Sequence, residues 1–130
     1  MSDRSPERRV LVVDDDEAER TAVANVMRDD GFHVALAEDG EQALRALERD
    51  ALPALIVLDL MMPRVTGWQV LQTIERTAQL ADIPVIVLTA FAARAGLPAG
   101  CRVLHKPFER EVLLAEARAL TRDLAAGSPT

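Results

Sequence analysis

Four short apolar runs punctuate the chain, Val10 to Val13, Ala54 to Leu58, Pro84 to Leu88 and Cys101 to Leu104, and a polar group follows each within two residues. Runs of four to six apolar residues read as strands buried on both faces, as in parallel sheets. Between these runs the apolar spacing changes to steps of three and four. Asp16 stands as a helix cap with Glu19 three residues on, as in a capping box. Ala22, Val23, Val26 and Met27 then form a stripe for packing on a sheet, until Gly31 stops the helix near Asp30. Phe32 to Leu36 reads as a half-buried second strand. Asp39-Gly40 turns the chain into a short helix with Ala43, Leu44 and Leu47 inward, and Pro53 opens the third strand. A loop from Leu60 to Thr66, punctuated by Pro63 and Gly67, precedes a helix over about Trp68 to Thr77 that carries Val70, Leu71 and Ile74. The stretch Ala90 to Gly100 is rich in Ala and Gly, contains Pro98, and has room for a short helix at most. Leu113, Ala117, Leu120 and Leu124 mark a last helix, ended by Gly127-Ser128-Pro129. With Arg8 to Val13 as strand one, five strands alternate with helices. The expected fold is α/β: a parallel sheet covered on both faces, with right-handed crossovers.

In such a sheet the ligand crevice lies beyond the carboxyl ends of the strands. Those ends carry Asp14 and Asp15, Asp59, Thr89 and Lys106: acid, acid, hydroxyl and amine. Clustered carboxylates need a counter-charge, since two unit charges about 4 Å apart repel by roughly 4 kcal/mol at an effective dielectric near 20. Mg2+ suits the set, because hard cations take oxygen ligands and Mg2+ commonly uses one or two carboxylates with waters and phosphate oxygens. Metal, lysine and hydroxyl together are equipment for phosphoryl transfer, in which a carboxylate can serve as the nucleophile.

Composition narrows the partners. The 130 residues fit one domain with a real core, and 49% are hydrophobic. The single Cys101 excludes an internal disulfide framework and suits a reducing, cytoplasmic setting. Met1 to Arg9 is charged, unlike a secretory signal, and no apolar run approaches a membrane span. Fifteen Lys and Arg against 21 Asp and Glu leave a net charge of -6, which argues against nucleic-acid binding through a basic surface. A protein partner is expected. Taken singly, the remaining candidates have plain readings: Asp16 as a cap, His33 and His105 as surface or strand residues, Trp68 packed in a helix-sheet seam, Cys101 and Phe108 as core.

Taken together, Val-Val-Asp14-Asp15, Leu58-Asp59-Leu60-Met61-Met62-Pro63, Leu88-Thr89-Ala90 and Lys106-Pro107-Phe108 resemble the receiver domain of bacterial two-component response regulators over almost the whole chain. The resemblance implies a flavodoxin-like (βα)5 doubly wound sheet, with a receiver domain over 8-126 between a charged tail, 1-7, and a short tail, 127-130. It implies that Asp59 accepts a phosphoryl group from a sensor histidine kinase or phosphotransfer protein. Asp14, Asp15, Asp59 and the Met61 backbone carbonyl would hold Mg2+. Thr89 would bond one phosphoryl oxygen and Lys106 another, with a cis Lys106-Pro107 peptide aiming the lysine. Such a chain catalyses its own transfer and is not a turnover enzyme. Only three residues follow Gly127, so the expectation is a stand-alone receiver that signals through an unknown downstream protein, without direct nucleic-acid or membrane contact.

Three departures qualify the likeness. From Thr89 to Lys106 is 17 residues, fewer than similar receivers have, so the fourth helix is expected to be short, displaced or missing. Val103 stands where the family usually carries a Tyr or Phe that swings inward, which calls for a different coupling of phosphate to surface. Alternatives from other classes are a pseudo-receiver that binds a partner without phosphate, and a small phosphatase. The phosphatase would want a second carboxylate at the position of Met61. A flavodoxin-like cofactor binder lacks its Gly-rich or Ser/Thr-rich phosphate loop. The third departure generates a prediction: Met61 and Phe91, each two residues beyond a key residue, are apolar where they would flank hydrolytic water, and a bulky apolar rim hinders in-line attack. After loading from a small-molecule donor, wild type is expected to keep its phosphoryl group longer than Met61→Asn and Phe91→Glu. Equal lifetimes refute the idea.

Overall fold

The computed structural model describes residues 8-49, 51-62, 66-90, 97 and 101-127, which form one sheet flanked by helices. In chain order the elements are β1 (Arg9–Val13), α1 (Glu17–Asp29), β2 (His33–Ala37), α2 (Gly40–Arg49), β3 (Leu55–Asp59), α3 (Gly67–Arg76), β4 (Val85–Thr89), β5 (Arg102–His105) and α4 (Arg110–Gly127). All pairings are parallel and the strand order is β2-β1-β3-β4-β5. The order reverses between β1 and β3. That switch point is where a doubly wound sheet opens a crevice at its carboxyl edge.

Alternation along the strands divides the core in two. Leu11, Val13, Ile56, Leu58, Val85 and Val87 pack with Ala43, Leu47, Val70, Leu71 and Ile74, so α2 and α3 cover one face. On the other face Val10, Val12, Leu55, Val57, Ile86 and Leu88 meet Val23, Met27, Leu113, Leu114 and Ala117 of α1 and α4. Fully burying such a side chain contributes roughly 1.5–3 kcal/mol, so these two layers carry the domain. β2, at one edge, is mostly exposed and buries Ala37. Arg118 of α4 grips the Asp30 carboxylate in two bonds, 3.1 and 2.5 Å, and Arg110 lies 3.6 Å from Asp29, which ties α4 to the end of α1. None of the described helices is long and apolar enough to cross a membrane.

Several local expectations need correction. Asp16 does cap α1, its carboxylate accepting the Glu19 amide at 3.1 Å, but the Glu19 side chain does not close a box and instead reaches Lys106. A full capping box occurs at Thr66 and Gln69. Ala22 is exposed, and the buried stripe of α1 is Arg20, Val23, Ala24 and Met27, an orientation that brings the Arg20 guanidinium to the Asp14 carbonyl. Trp68 is not in a seam: it lies on the outward side of α3 and is 39% exposed, while Val70, Leu71 and Ile74 take the inward positions. Phe108 is half-buried against the α1/α4 layer, and Cys101 is core as expected. Gly31 has φ 96°, which explains why a glycine ends α1. The stretch expected to hold a short fourth helix, 91-96 and 98-100, lies outside the described residues, as does Pro63.

Gly67 is the first residue of α3, and a Cβ there would meet the Asp59 carbonyl oxygen and Leu60 Cα at 2.6 Å. Both obstacles are backbone directly below the pocket. Gly67→Ala is therefore expected to lose about 1–3 kcal/mol of stability in urea unfolding, and an unchanged midpoint refutes this packing argument.

Candidate functional site

Register builds the site. Val13 pairs with Leu58 and Asp59 with Leu88, while Thr89 pairs with His105, so the four strand ends finish level along one edge. Side chains alternate along a strand, and Asp14, Asp59 and Lys106 continue the parity of Val12, Val57 and Leu104. They therefore turn toward the α1 side of the sheet. Thr89 has the opposite parity and is buried.

Carboxylate oxygens of Asp14, Asp15 and Asp59 lie within 4.8 Å of one another, with Asp14 and Asp59 buried and Asp15 exposed. The Asp14 turn is pinned on three sides. Its amide donates to the Ala37 carbonyl at 3.1 Å, its Oδ1 accepts the Asp16 amide at 2.9 Å, and its carbonyl accepts the Arg20 guanidinium at 2.8 Å. Asp59 Oδ1 accepts the Met61 amide at 3.1 Å, which fixes the plane of that carboxylate. Lys106 Nζ stands 3.5 Å from Asp59 Oδ1 and 2.6 Å from Glu19 Oε1, on a backbone whose Lys106-Pro107 peptide is cis. The Lys106 amide donates to the Thr89 carbonyl at 2.7 Å, which joins the last two strand ends.

The electrostatics describe a pocket short of positive charge. Burial lifts the Asp14 carboxyl to about 8, with the neighbouring Glu19 and Asp59 carboxylates adding to the push against the Asp16 amide. Asp59 is raised by the same burial, despite the Met61 amide and Lys106. Burial alone would lower Lys106, but the Glu19 hydrogen bond and the surrounding carboxylates outweigh it and hold the ammonium above its usual range. Among the described residues, Asp14 Oδ2 is buried with no hydrogen-bond partner. A buried, orphaned carboxylate oxygen facing two other carboxylates calls for a cation, and an all-oxygen donor set fits a hard divalent ion such as Mg2+.

Asp14, Asp15, Asp59, Met61, Thr89 and Lys106 all lie at this edge, and of Met61 it is the amide that engages Asp59. Phe91 lies outside the described residues. Val103 is half-buried against the α2/α3 layer. Two residues went unrecognised. Arg20 and Glu19 lie three and four residues before Val23, so extending the α1 stripe back one turn places both on the inward side, a signal read there as capping alone.

An acidic, lysine-bearing pocket at the switch point of a flavodoxin-like sheet defines the class: a receiver-type α/β domain. Comparison with known proteins agrees. Residues 10–118 match the family model of the response regulator receiver domain, and the chain belongs to that family. It is 44% identical over 119 residues to the response regulator MprA of Mycolicibacterium vanbaalenii, covering 88% of this chain and 50% of that protein. The chain thus spans about half the length of the curated relatives it matches. Among solved structures it resembles the receiver domain of sensor histidine kinase PA1611 from Pseudomonas aeruginosa PAO1, which has a magnesium ion coordinated in its active-site cleft. The TM-score is 0.80 at 29% identity, covering 88% of this chain and 98% of that one. A second likeness is to the chemotaxis protein CheY4 of Vibrio cholerae, with TM-score 0.77 and 28% identity over 86% of this chain and 97% of that one.

The raised acids carry a pH signature in metal-free protein. Asp14 binds its proton more tightly folded than unfolded, so its contribution to stability is full below its ordinary 3.8, falls as pH rises, and is gone above about 8. Asp59 acts in the same direction. In EDTA the melting temperature is expected to fall between pH ~5 and ~8, and this slope should flatten in Asp14→Asn. Mg2+ at a fixed concentration, ~100 times its dissociation constant at pH ~7, should add roughly 2.7 kcal/mol there and more at higher pH, where the competing proton is lost. A melting temperature that rises with pH in EDTA would contradict the assignment.

Proposed function

We propose that this domain is a phosphoacceptor switch: Asp59 takes a phosphoryl group from the phosphohistidine of a sensor histidine kinase or phosphotransfer protein in the cytoplasm. The receiver unit spans 8-126, and the output passes by contact with a downstream protein. Receiver domains are signalling modules that interact with such kinases and phosphotransfer proteins. The carrying observation is the convergence of the Asp14, Asp15 and Asp59 oxygens within 4.8 Å, with the Lys106 ammonium 3.5 Å from Asp59.

In the transfer, an Asp59 carboxylate oxygen attacks phosphorus and forms the new P–O bond. The P–N bond to the donor imidazole breaks, and its electron pair leaves with the imidazole. Asp14, Asp15, Asp59 and the Met61 carbonyl would hold Mg2+, which when bound neutralises charge on the phosphoryl oxygens. The magnesium in the PA1611 receiver supports that assignment. Lys106 takes one equatorial oxygen and Thr89, at the adjacent strand end, another. The Met61 amide keeps the nucleophilic carboxylate from rotating away. Positioning and charge stabilisation supply nearly all the catalysis in such a reaction.

With acetyl phosphate and Mg2+, intact-mass measurement is expected to show one added phosphoryl group on wild type and none on Asp59→Asn. Chelating the metal should slow the reaction by about 100-fold, equivalent to roughly 3 kcal/mol of charge stabilisation. An unmodified wild-type chain after prolonged incubation overturns the proposal in favour of a pseudo-receiver.

A further inference from the structure

Among the described residues Lys106 forms ion pairs with two acids, and the nearer one is not Asp59. Its ammonium lies 2.6 Å from Glu19 Oε1 and 3.5 Å from Asp59 Oδ1. Glu19 stands in the first turn of α1, 87 residues away in sequence, where its amide is held by the Asp16 cap. The pair is only partly exposed, 20% for the lysine side chain and 33% for the glutamate, so it is screened less than a surface pair. Parity brings it about: β5 ends with Lys106 facing the α1 side, and the α1 stripe, extended back one turn, presents Glu19 there.

We infer that Glu19 is the resting partner of Lys106 and a positioning residue for phosphoryl transfer, competing with the incoming phosphoryl group for the lysine ammonium. The inference rests on the reading of Asp59 as phosphoacceptor. An aspartyl phosphate carries nearly two negative charges and three acceptor oxygens, which makes it a stronger partner than one carboxylate. Before transfer that partner is absent, and the ammonium is drawn toward α1 at 2.6 Å. Reaching an equatorial oxygen in the transition state therefore costs the lysine its shortest contact. Glu19 slows loading by that cost and leaves the lysine unable to rest on Asp59 alone. Once the phosphoryl group is in place, the Glu19 carboxylate is released at the start of α1. The fourth carboxylate of the pocket thus makes the position of one ammonium depend on whether Asp59 is modified.

The test uses the full chain, acetyl phosphate as donor, and Mg2+ saturating for each variant separately, with initial rates of adduct formation read by intact mass. In this reaction Asp59 oxygen bonds phosphorus, and the P–O bond to acetate breaks with its electron pair leaving on acetate. Glu19→Gln keeps size and removes the competing charge, and it is expected to load roughly two- to five-fold faster than wild type, the scale of one partly exposed ion pair. Glu19→Asp, with its carboxylate drawn back, should fall between them. The acceleration by Glu19→Gln should vanish in a Lys106→Met background, because the effect runs through the lysine. Wild-type or slower rates in Glu19→Gln overturn the inference. So does an acceleration of equal size without the lysine, which would mean that Glu19 merely repels the anionic donor. Failure of wild type to form any adduct is a different result: it refutes the phosphoacceptor reading itself.

Discussion

Mutual repulsion among three carboxylates is the constraint on which the site depends. Asp14, Asp15 and Asp59 have oxygens within 4.8 Å of one another at the mouth of the sheet, two of them on buried residues. Left alone, such charges would drive the strand ends apart or take up protons. The fold resists by rigid means: backbone amides of Asp16 and Met61 hold one oxygen each, Arg20 grips the Asp14 carbonyl, and the β1–β3–β4 ladder keeps the three strand ends level. Energy that stable packing supplies is thus spent keeping acids together, an arrangement that could hold a metal ion.

The lysine completes this charge balance incompletely. One ammonium faces Glu19, Asp59 and, further off, Asp14, and the sum of these interactions keeps it charged against its own burial. A single positive group divided among several acids is sensitive to any change in charge at Asp59. That sensitivity is what a phosphorylation switch requires, since a modification shifts an equilibrium only by interactions that differ between its states.

The two sides of the sheet have separate tasks. Residues whose parity faces α1 and α4 end in Asp14, Asp59 and Lys106, so these charged groups continue from that layer, while Thr89 ends the other. The α2/α3 layer supports it from below through Gly67, whose backbone lies against Asp59 and Leu60 so closely that no side chain fits between them. Trp68, next to it and exposed, is on the solvent side of the same helix turn.

Strand runs, the α3 stripe, part of the α1 and α4 stripes and the acids at strand ends could be read from residue order, because periods of two and of three to four are local properties of the chain. The four motifs together also pointed to the family. Tertiary structure alone decided which acid holds the lysine. Glu19 looked like a capping-box partner because the backbone it would serve is three residues away, whereas Lys106 is 87 residues off and meets it only after β5 has been laid beside β4. The burial of Arg20 and the exposure of Trp68 were hidden for the same reason, since a helix stripe shows which positions share a side but not how the helix is rotated on its sheet. That rotation is chosen by packing against strands far along the chain, where the strongest long-range contacts win over local preference.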